Sequence, residues 1–443
     1  MTELRKNTGK KDAPPPPPPP GTAARRSALD ILTLVSKGLT LDDALDECRS
    51  FAALEGPDRG LARAIASTVL RYRGGLDHII GEYIDKPLPK RAARAQDILR
   101  IAAAQSLVLK SPDHAVVSTA VAITQDFREI SGYAGLINAI ARKIAKAGPE
   151  RLEKLPERVN TPGWMWRGWE RAYGPAQARA IARANTVEAA LDLTAKDPAE
   201  AAEIASQTSA VVVQTGSVRL SDGADVTALA GFDAGRWWVQ DAAAALPARL
   251  LGDVAGKTVV DLCAAPGGKT MQLAAAGAEV IAVDLSGPRL KRVSENLHRT
   301  RLAAQTIKAD ALDWAPPETV DAVLLDAPCT ATGTIRRHPD ILWSKTEDDL
   351  KALVAMQAKM IDHALGYLKP GGVLIYCTCS LQPEEGERQI AALLARRADV
   401  SRKPVSPQEI GGLSAISRDG DLRTLPFMMG GMDGFFAARL VKA

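Results

Sequence analysis

The stretch Thr258-Val-Val-Asp-Leu-Cys-Ala-Ala-Pro-Gly-Gly-Lys-Thr270 decides how this chain is read. Its opening five residues are β-branched and apolar around a single aspartate, the pattern of a short strand in a buried sheet. A glycine-rich turn follows, and a helix is expected from Lys269. Such a turn lets a ligand approach the backbone, and three cofactor classes compete for it. A phosphate-cradling loop requires glycine five residues before Gly268-Lys269-Thr270, where this chain has Cys263. The dinucleotide fingerprint requires G-x-G-x-x-G, of which Cys263 to Gly268 supplies only the last part. What remains is a turn without pyrophosphate geometry, with a carboxylate, Asp261, just ahead of it.

Outward from this turn, Glu279-Val-Ile-Ala-Val-Asp284 is the next strand, followed by a helix near Arg289–His298. Thr306-Ile-Lys-Ala-Asp310, Asp321-Ala-Val-Leu-Leu-Asp326 and Gly372-Val-Leu-Ile-Tyr-Cys377 are further strands. A long amphipathic helix, capped at Thr346 with Asp349 three residues on, separates the last two. Strands alternating with helices predict a doubly wound parallel sheet, an α/β Rossmann-like domain. Ligands of such sheets bind beyond the carboxyl ends of the strands. Asp284 is placed there for ribose hydroxyls and Asp310 for an adenine amino group. With Asp261 they make three carboxylates at successive strand ends. That set suits a nucleoside with a cationic sulfur and no phosphate, and S-adenosylmethionine fits this description.

Asp326-Ala-Pro-Cys329 and Tyr376-Cys-Thr-Cys-Ser380 end the fourth and fifth strands, so Cys329 and Cys379 are expected to face one pocket. No C-x-x-C pair and no histidine at ligand spacing accompany them, and no metal is expected. Single cysteines are usually packed thiols. Two at strand tips beside a cofactor turn point instead to nucleophilic chemistry. The sequence alone leaves open which of the two attacks.

VVDLCAAPGGKT, LLDAPCTATGTIRRHPDILW and LKPGGVLIYCTCSLQPEEGE closely resemble the Nop/Sun family of RNA cytosine-C5 methyltransferases, as do WVQDAAAALPARLL and DGFFAARL. The resemblance covers about residues 160–443. The helical segment 22–146, with its stretch VLRYRGGLDHIIGEYI, looks like the RNA-binding domain of the antiterminator NusB. The pairing resembles the bacterial Sun/Fmu branch, which methylates a cytosine in 16S ribosomal RNA. The resemblance implies that Cys379 attacks C6 of the base and that Cys329 serves product release. It implies that Cys263, Ala264, Ala265, Pro266, Gly267, Gly268 and Lys269 form the cofactor turn. Asp284, Asp310 and Asp326 would contact S-adenosylmethionine, with Asp326 also within reach of the cytosine ring. Arg336-Arg337-His338-Pro339 is expected to face the RNA backbone. Cys377 and Cys48 are expected to be packed.

Four segments are expected: a disordered Pro-rich tail at 1–21, a NusB-like all-α domain at 22–148, an α+β connector at 149–245, and the methyltransferase domain at 246–443. In the helical segment Arg63, Arg71, Arg73, Lys90, Arg91 and Arg94 offer either a solvated surface or a phosphate-contacting patch. In the connector a helix is expected from about Pro175 to Asn185, with β-like pieces at Leu191–Thr194 and Ala210–Gln214. Five of the seven tryptophans fall between 164 and 238 and read as packing anchors.

Composition sets the outer limits. Lys and Arg number 56 against 52 Asp and Glu, so any basic footprint must be local. No apolar run approaches the ~20 residues that span a bilayer, and no membrane association is expected. Five cysteines, an odd number, argue against a disulfide framework and for a reducing compartment, so the cytoplasm is expected; separately, a monomer is expected. Two rival functions stay open. One is the same chemistry on tRNA or 23S rRNA; the other is a non-enzymatic RNA-binding factor in ribosome assembly or antitermination.

Overall fold

A computed structural model of the chain describes residues 18–221 and 225–443. Most of the Pro-rich tail expected at 1–21 lies outside the described residues. The chain divides into two compact units, Met1–Leu155 and Pro156–Ala443.

The described part of the first unit is helical throughout. Its long helices are Thr22–Ser36, Gly56–Gly81, Ala93–Leu107, Asp113–Gln125 and Ala134–Ala147. The reason is visible in Gly56–Gly81, which buries Ala62, Ile65, Ala66, Val69, Leu70, Leu76, Ile79 and Ile80. Those positions recur at three- and four-residue steps and form one apolar stripe. Cys48 is buried in this unit, as expected.

The second unit contains two sheets. The smaller is antiparallel and is built from β1 (Asp192–Ala195), β2 (Ala210–Val212), β3 (Val218–Leu220) and β4 (Trp237–Val239), in the order β2-β3-β1-β4. Leu193, Ile204, Val218, Leu220 and Trp237 fill its core. Ahead of it runs a helix, Gly163–Ala184, broken at Gly174 (φ 82°) beside Pro175. Its second half is the expected helix. The first half, rich in tryptophan, is helical without a sequence pattern that predicts it. Trp169 in it is fully buried, and Trp164 and Trp166 pack against the same cluster.

The larger sheet contains β5 (Thr258–Leu262), β6 (Glu279–Asp284), β7 (Gln305–Lys308), β8 (Val320–Asp326), β9 (Leu368–Thr378), β10 (Val400–Arg402), β11 (Leu422–Thr424) and β12 (Phe435–Lys442). Its order is β10-β12-β9-β8-β5-β6-β7, with β11 also on β12. From β9 to β7 every pairing is parallel. The expected all-parallel sheet is therefore corrected at one edge, where β12 and β10 add antiparallel. Side chains alternate between the two faces. Val260, Leu262, Leu374 and Tyr376 meet Ile361 and Leu365 of the helix Glu347–Tyr367 on one side. Val259, Ile375 and Cys377 pack on the other side. The Thr346–Asp349 capping box opens that helix as expected.

Chain order reverses at β5, since β6 and β7 lie to one side and β8 and β9 to the other. The carboxyl ends of β5 and β8 therefore flank a topological switch point, the usual ligand crevice of such sheets.

Candidate active site

Backbone conformation shapes the turn after β5. Cys263 has φ 62° and Gly267 has φ 101°, and Gly267 caps the helix Gly268–Ala275. The φ of Gly267 calls for glycine, and a Cβ there would also press to 3.1 Å from Val293 Cγ1. Asp284, at the end of β6, is 4% exposed and braces the turn. Its carboxylate accepts from the Ala265 N–H at 3.1 Å and from the Ser286 N–H at 2.9 Å. Arg289 donates to the Ala265 carbonyl, and Asn296 to that of Pro266. Ala264 and Ala265 are buried beneath these contacts.

Under the turn, Asp261 is fully buried and accepts from the Thr270 hydroxyl at 2.5 Å. Its other oxygen is buried without a hydrogen-bond partner among the described residues. Burial pushes this carboxyl up to about 7. Burial likewise raises the Cys263 thiol. Lys269 donates to Asp326 Oδ2 at 2.7 Å. Burial alone would lower the Lys269 ammonium, but Asp326 together with Cys377 and Asp261 outweighs it and holds the ammonium above its ordinary value. Asp310 stands two residues past β7, half-buried, and its carboxylate accepts from the Leu312 N–H at 2.9 Å.

Cys329 lies three residues beyond β8 and Cys379 one beyond β9. In the β8–β9 register Asp326 pairs with Cys377, so both chains leave the sheet at the same height. The two sulfurs stand 3.5 Å apart, both half-buried. The hydrogen bond with the Cys379 sulfur, and then burial, hold the Cys329 thiol well above its ordinary value. Cys377 is fully buried, with its sulfur 3.6 Å from Asp326 Oδ1. Gly333 fixes the corner from outside: its N–H donates to the Cys379 carbonyl at 2.9 Å, and a Cβ there would collide with the Gly434 carbonyl. The described residues include no His/Cys/Asp/Glu group able to hold a metal. No described helix is long and apolar enough to cross a membrane.

Residues 248–441 match the family described as 16S rRNA methyltransferase RsmB/F, and residues 22–146 match the NusB family. Ribosomal RNA small subunit methyltransferase B of Shewanella oneidensis is 34% identical over 437 residues, covering 94% of this chain and 98% of that protein. The chain belongs to the RsmB/F methyltransferase family. Its relative of the same name in Pseudomonas putida is 35% identical over 403 residues, 87% of this chain and 91% of that one. The crystal structure of PH0851 shares the fold, with a TM-score of 0.76 over 98% of this chain and 100% of that one at 23% identity.

Within this RsmB/F chain one expectation is overturned. The arginines of Arg336-Arg337-His338-Pro339 do not face outward. Arg336 is 4% exposed, and Arg337 pairs with Asp241 at 2.6 Å and Asp433 at 3.3 Å. Two buried carboxylates need a cation there, and that requirement outweighs solvation of the guanidinium. In the first unit Arg71 is also buried, and Arg94 pairs with Glu129, whereas Arg63, Lys90 and Arg91 are exposed.

Glu385 is a residue that sequence reasoning misses. It is fully buried behind the two cysteines and accepts hydrogen bonds from Thr330, Ser380 and Gln357. The run Glu384-Glu385-Gly386-Glu387 reads in sequence as a solvated acidic turn. The signal it does carry is its place in the family-like stretch LKPGGVLIYCTCSLQPEEGE, a few residues after the Thr-Cys-Ser strand end.

Proposed function

We propose that the protein transfers a methyl group from S-adenosylmethionine to C5 of a cytosine in 16S ribosomal RNA through a covalent cysteine–C6 adduct. One observation carries this reading: two sulfurs 3.5 Å apart, delivered by neighbouring strand ends next to the cofactor turn. Cytosine C5 is a weak nucleophile, and a thiolate adding at C6 moves electron density onto it. Cys379 makes that addition. Cys329 acts in release, when a general base takes the C5 proton, the C5–C6 double bond re-forms and the Cys379–C6 bond breaks, returning the Cys379 thiolate. Asp326, three residues before Cys329, hydrogen-bonds the ring and favours its N3-protonated form.

The donor fits the residues present. The buried Asp261 oxygen without a partner suits a cationic ligand, and the Cys263–Gly268 turn, braced by Asp284, suits close backbone approach. When bound, S-adenosylmethionine supplies an electrophilic methyl. Asp284, Asp310, Asp326 and Lys269 hold it beside the thiols. The names of the curated relatives and the NusB-like first unit support 16S rRNA as substrate, with the target base leaving its stack to reach the thiol. Five free cysteines suit a reducing compartment, the cytoplasm, and we take the working form as a monomer.

Labelled methyl transfer onto 16S rRNA, with mapping of the product base, tests this. The expected product is 5-methylcytosine at one position. Methyl on another atom, or on tRNA or 23S rRNA instead, overturns it.

A further inference from the structure

We propose that Glu385 is a positioning residue that clamps the two cysteine-bearing loops together and so sets the distance between the reacting sulfurs. The inference rests on the two-cysteine reading above. Glu385 ends the short turn Pro383–Glu385 and is fully buried. Four donors converge on its two oxygens. The Thr330 N–H and the Gln357 amide reach Oε1 at 2.9 and 3.0 Å. The Ser380 hydroxyl reaches Oε2 at 2.5 Å, and the Thr330 hydroxyl donates to the same atom.

The positions of these donors give the carboxylate its role. Thr330 follows Cys329 in the chain, and Ser380 follows Cys379. One buried side chain is therefore bonded to the residue after each cysteine. Gln357 extends the grip, since its amide also donates to the Pro328 carbonyl at 2.8 Å, on the other side of Cys329. The Glu385 backbone carbonyl in turn accepts from the Tyr376 hydroxyl at 2.8 Å, which anchors the turn to β9. Backbone bonds join the two segments on either side of the thiols, from the Ala327 N–H to the Cys377 carbonyl and from the Gly333 N–H to the Cys379 carbonyl, each at 2.9 Å, whereas Glu385 grips the residue directly after each cysteine. A buried network of this kind rigidifies only when every member is satisfied.

A glutamine at 385 keeps the shape but donates where an oxygen accepted. The two hydroxyls must reverse, and each loses the acceptor it had. An alanine removes the clamp outright. A displacement on the order of 1 Å at reacting groups costs about 100-fold in rate.

The test uses the intact chain with Glu385→Ala and Glu385→Gln. Steady-state kinetics on 16S rRNA are paired with calorimetric titration of S-adenosylmethionine. A third measurement treats the RNA-free enzyme with diamide, which takes two hydrogens from the thiols and leaves a Cys329–Cys379 disulfide. In Glu385→Ala, kcat is expected to fall about 100-fold. KM for RNA and cofactor affinity should hold, and disulfide formation should slow in step. Glu385→Gln should recover part of both losses. A purely structural role would instead lower cofactor affinity and thermal stability together with kcat. Parental kcat and parental cross-linking in Glu385→Ala overturn the proposal. If that variant does not fold, Glu385→Gln decides alone, with a fall in kcat of about tenfold expected and an unchanged kcat overturning it. Should neither Cys329→Ala nor Cys379→Ala trap an RNA adduct, the two-cysteine reading fails. The diamide comparison still decides the clamp.

Discussion

The cofactor turn and the cysteine corner stand at the ends of neighbouring strands, yet they are held by different means. The turn is shaped by its backbone, through Cys263 at φ 62° and Gly267 at φ 101°, with Asp284 as its brace. The corner has a backbone bond at its rim, from the Gly333 N–H to the Cys379 carbonyl, but at the thiols it is held by side chains meeting on one buried carboxylate, Glu385. A turn fixed by main-chain conformation recognises a ligand, whereas a pair fixed by side chains sets a reacting distance. Lesions in the turn should therefore cost affinity, and lesions in the corner should cost rate.

The corner gives the largest effects. Cys379→Ala should abolish turnover and form no covalent RNA adduct, because in the proposed reaction attack at C6 precedes every other step. Cys329→Ala should still attack and methylate, then stall as a protein–RNA adduct that survives denaturing electrophoresis. Both variants should bind S-adenosylmethionine like the parent. The reverse pattern, with Cys379→Ala trapped and Cys329→Ala inert, would exchange the two roles. Full activity in either variant would remove that cysteine from the reaction.

The turn should answer differently. Asp284→Ala leaves the Ala265 and Ser286 N–H groups unmet in a buried site, at a cost of about 1–3 kcal/mol. That corresponds to a loss of about 5- to 150-fold in cofactor affinity. RNA affinity should stay put. Matching calorimetric curves for variant and parent would break the contrast between turn and corner.

The same contrast explains what the sequence disclosed. Asp284, Asp310, Asp326, Cys329 and Cys379 are legible because a parallel sheet brings every strand's carboxyl end to one edge, so strand ends alone locate them. The β12 edge is not, since an antiparallel addition leaves no mark in a βαβ rhythm. Arg337 is misread because its partners Asp241 and Asp433 each lie 96 residues away, one on either side. Glu385 is invisible for a related reason: the donors that make it a buried acceptor come from three separate segments. Local patterns report what a segment presents, not which distant charge will claim it.

Removing the first unit sharpens the comparison from outside. A chain starting at Pro156 retains every candidate residue of both turn and corner, so cofactor affinity should not change. RNA binding should weaken, and its log–log salt slope should flatten by about 0.7 for each phosphate left unneutralised. Exposed Arg63, Lys90 and Arg91 are the candidate cations for those phosphates. An unchanged slope, read from filter binding across a salt series, would remove the helical unit from RNA recognition.

The smallest effect lies beneath the turn itself. Asp261 is raised by burial to about 7, above the ~3.9 of an unfolded carboxyl. Because the folded value is the higher one, the folded chain holds a proton that the unfolded chain releases. This contribution is therefore complete below pH ~4 and is lost as pH rises through about 7, with a slope of at most about 1.4 kcal/mol per pH unit. Asp261→Asn carries no such proton. Whatever its fixed cost, its stability relative to the parent should climb across that window and level off above pH about 7. All seven tryptophans lie in Pro156–Ala443, so their fluorescence in urea titrations of the intact chain follows this unit alone. Parallel midpoints for parent and variant from about pH 5 to about pH 8 would mean that Asp261 is ionised in the fold. The turn would then be held by charge as well as by backbone, and the distinction from the corner would narrow.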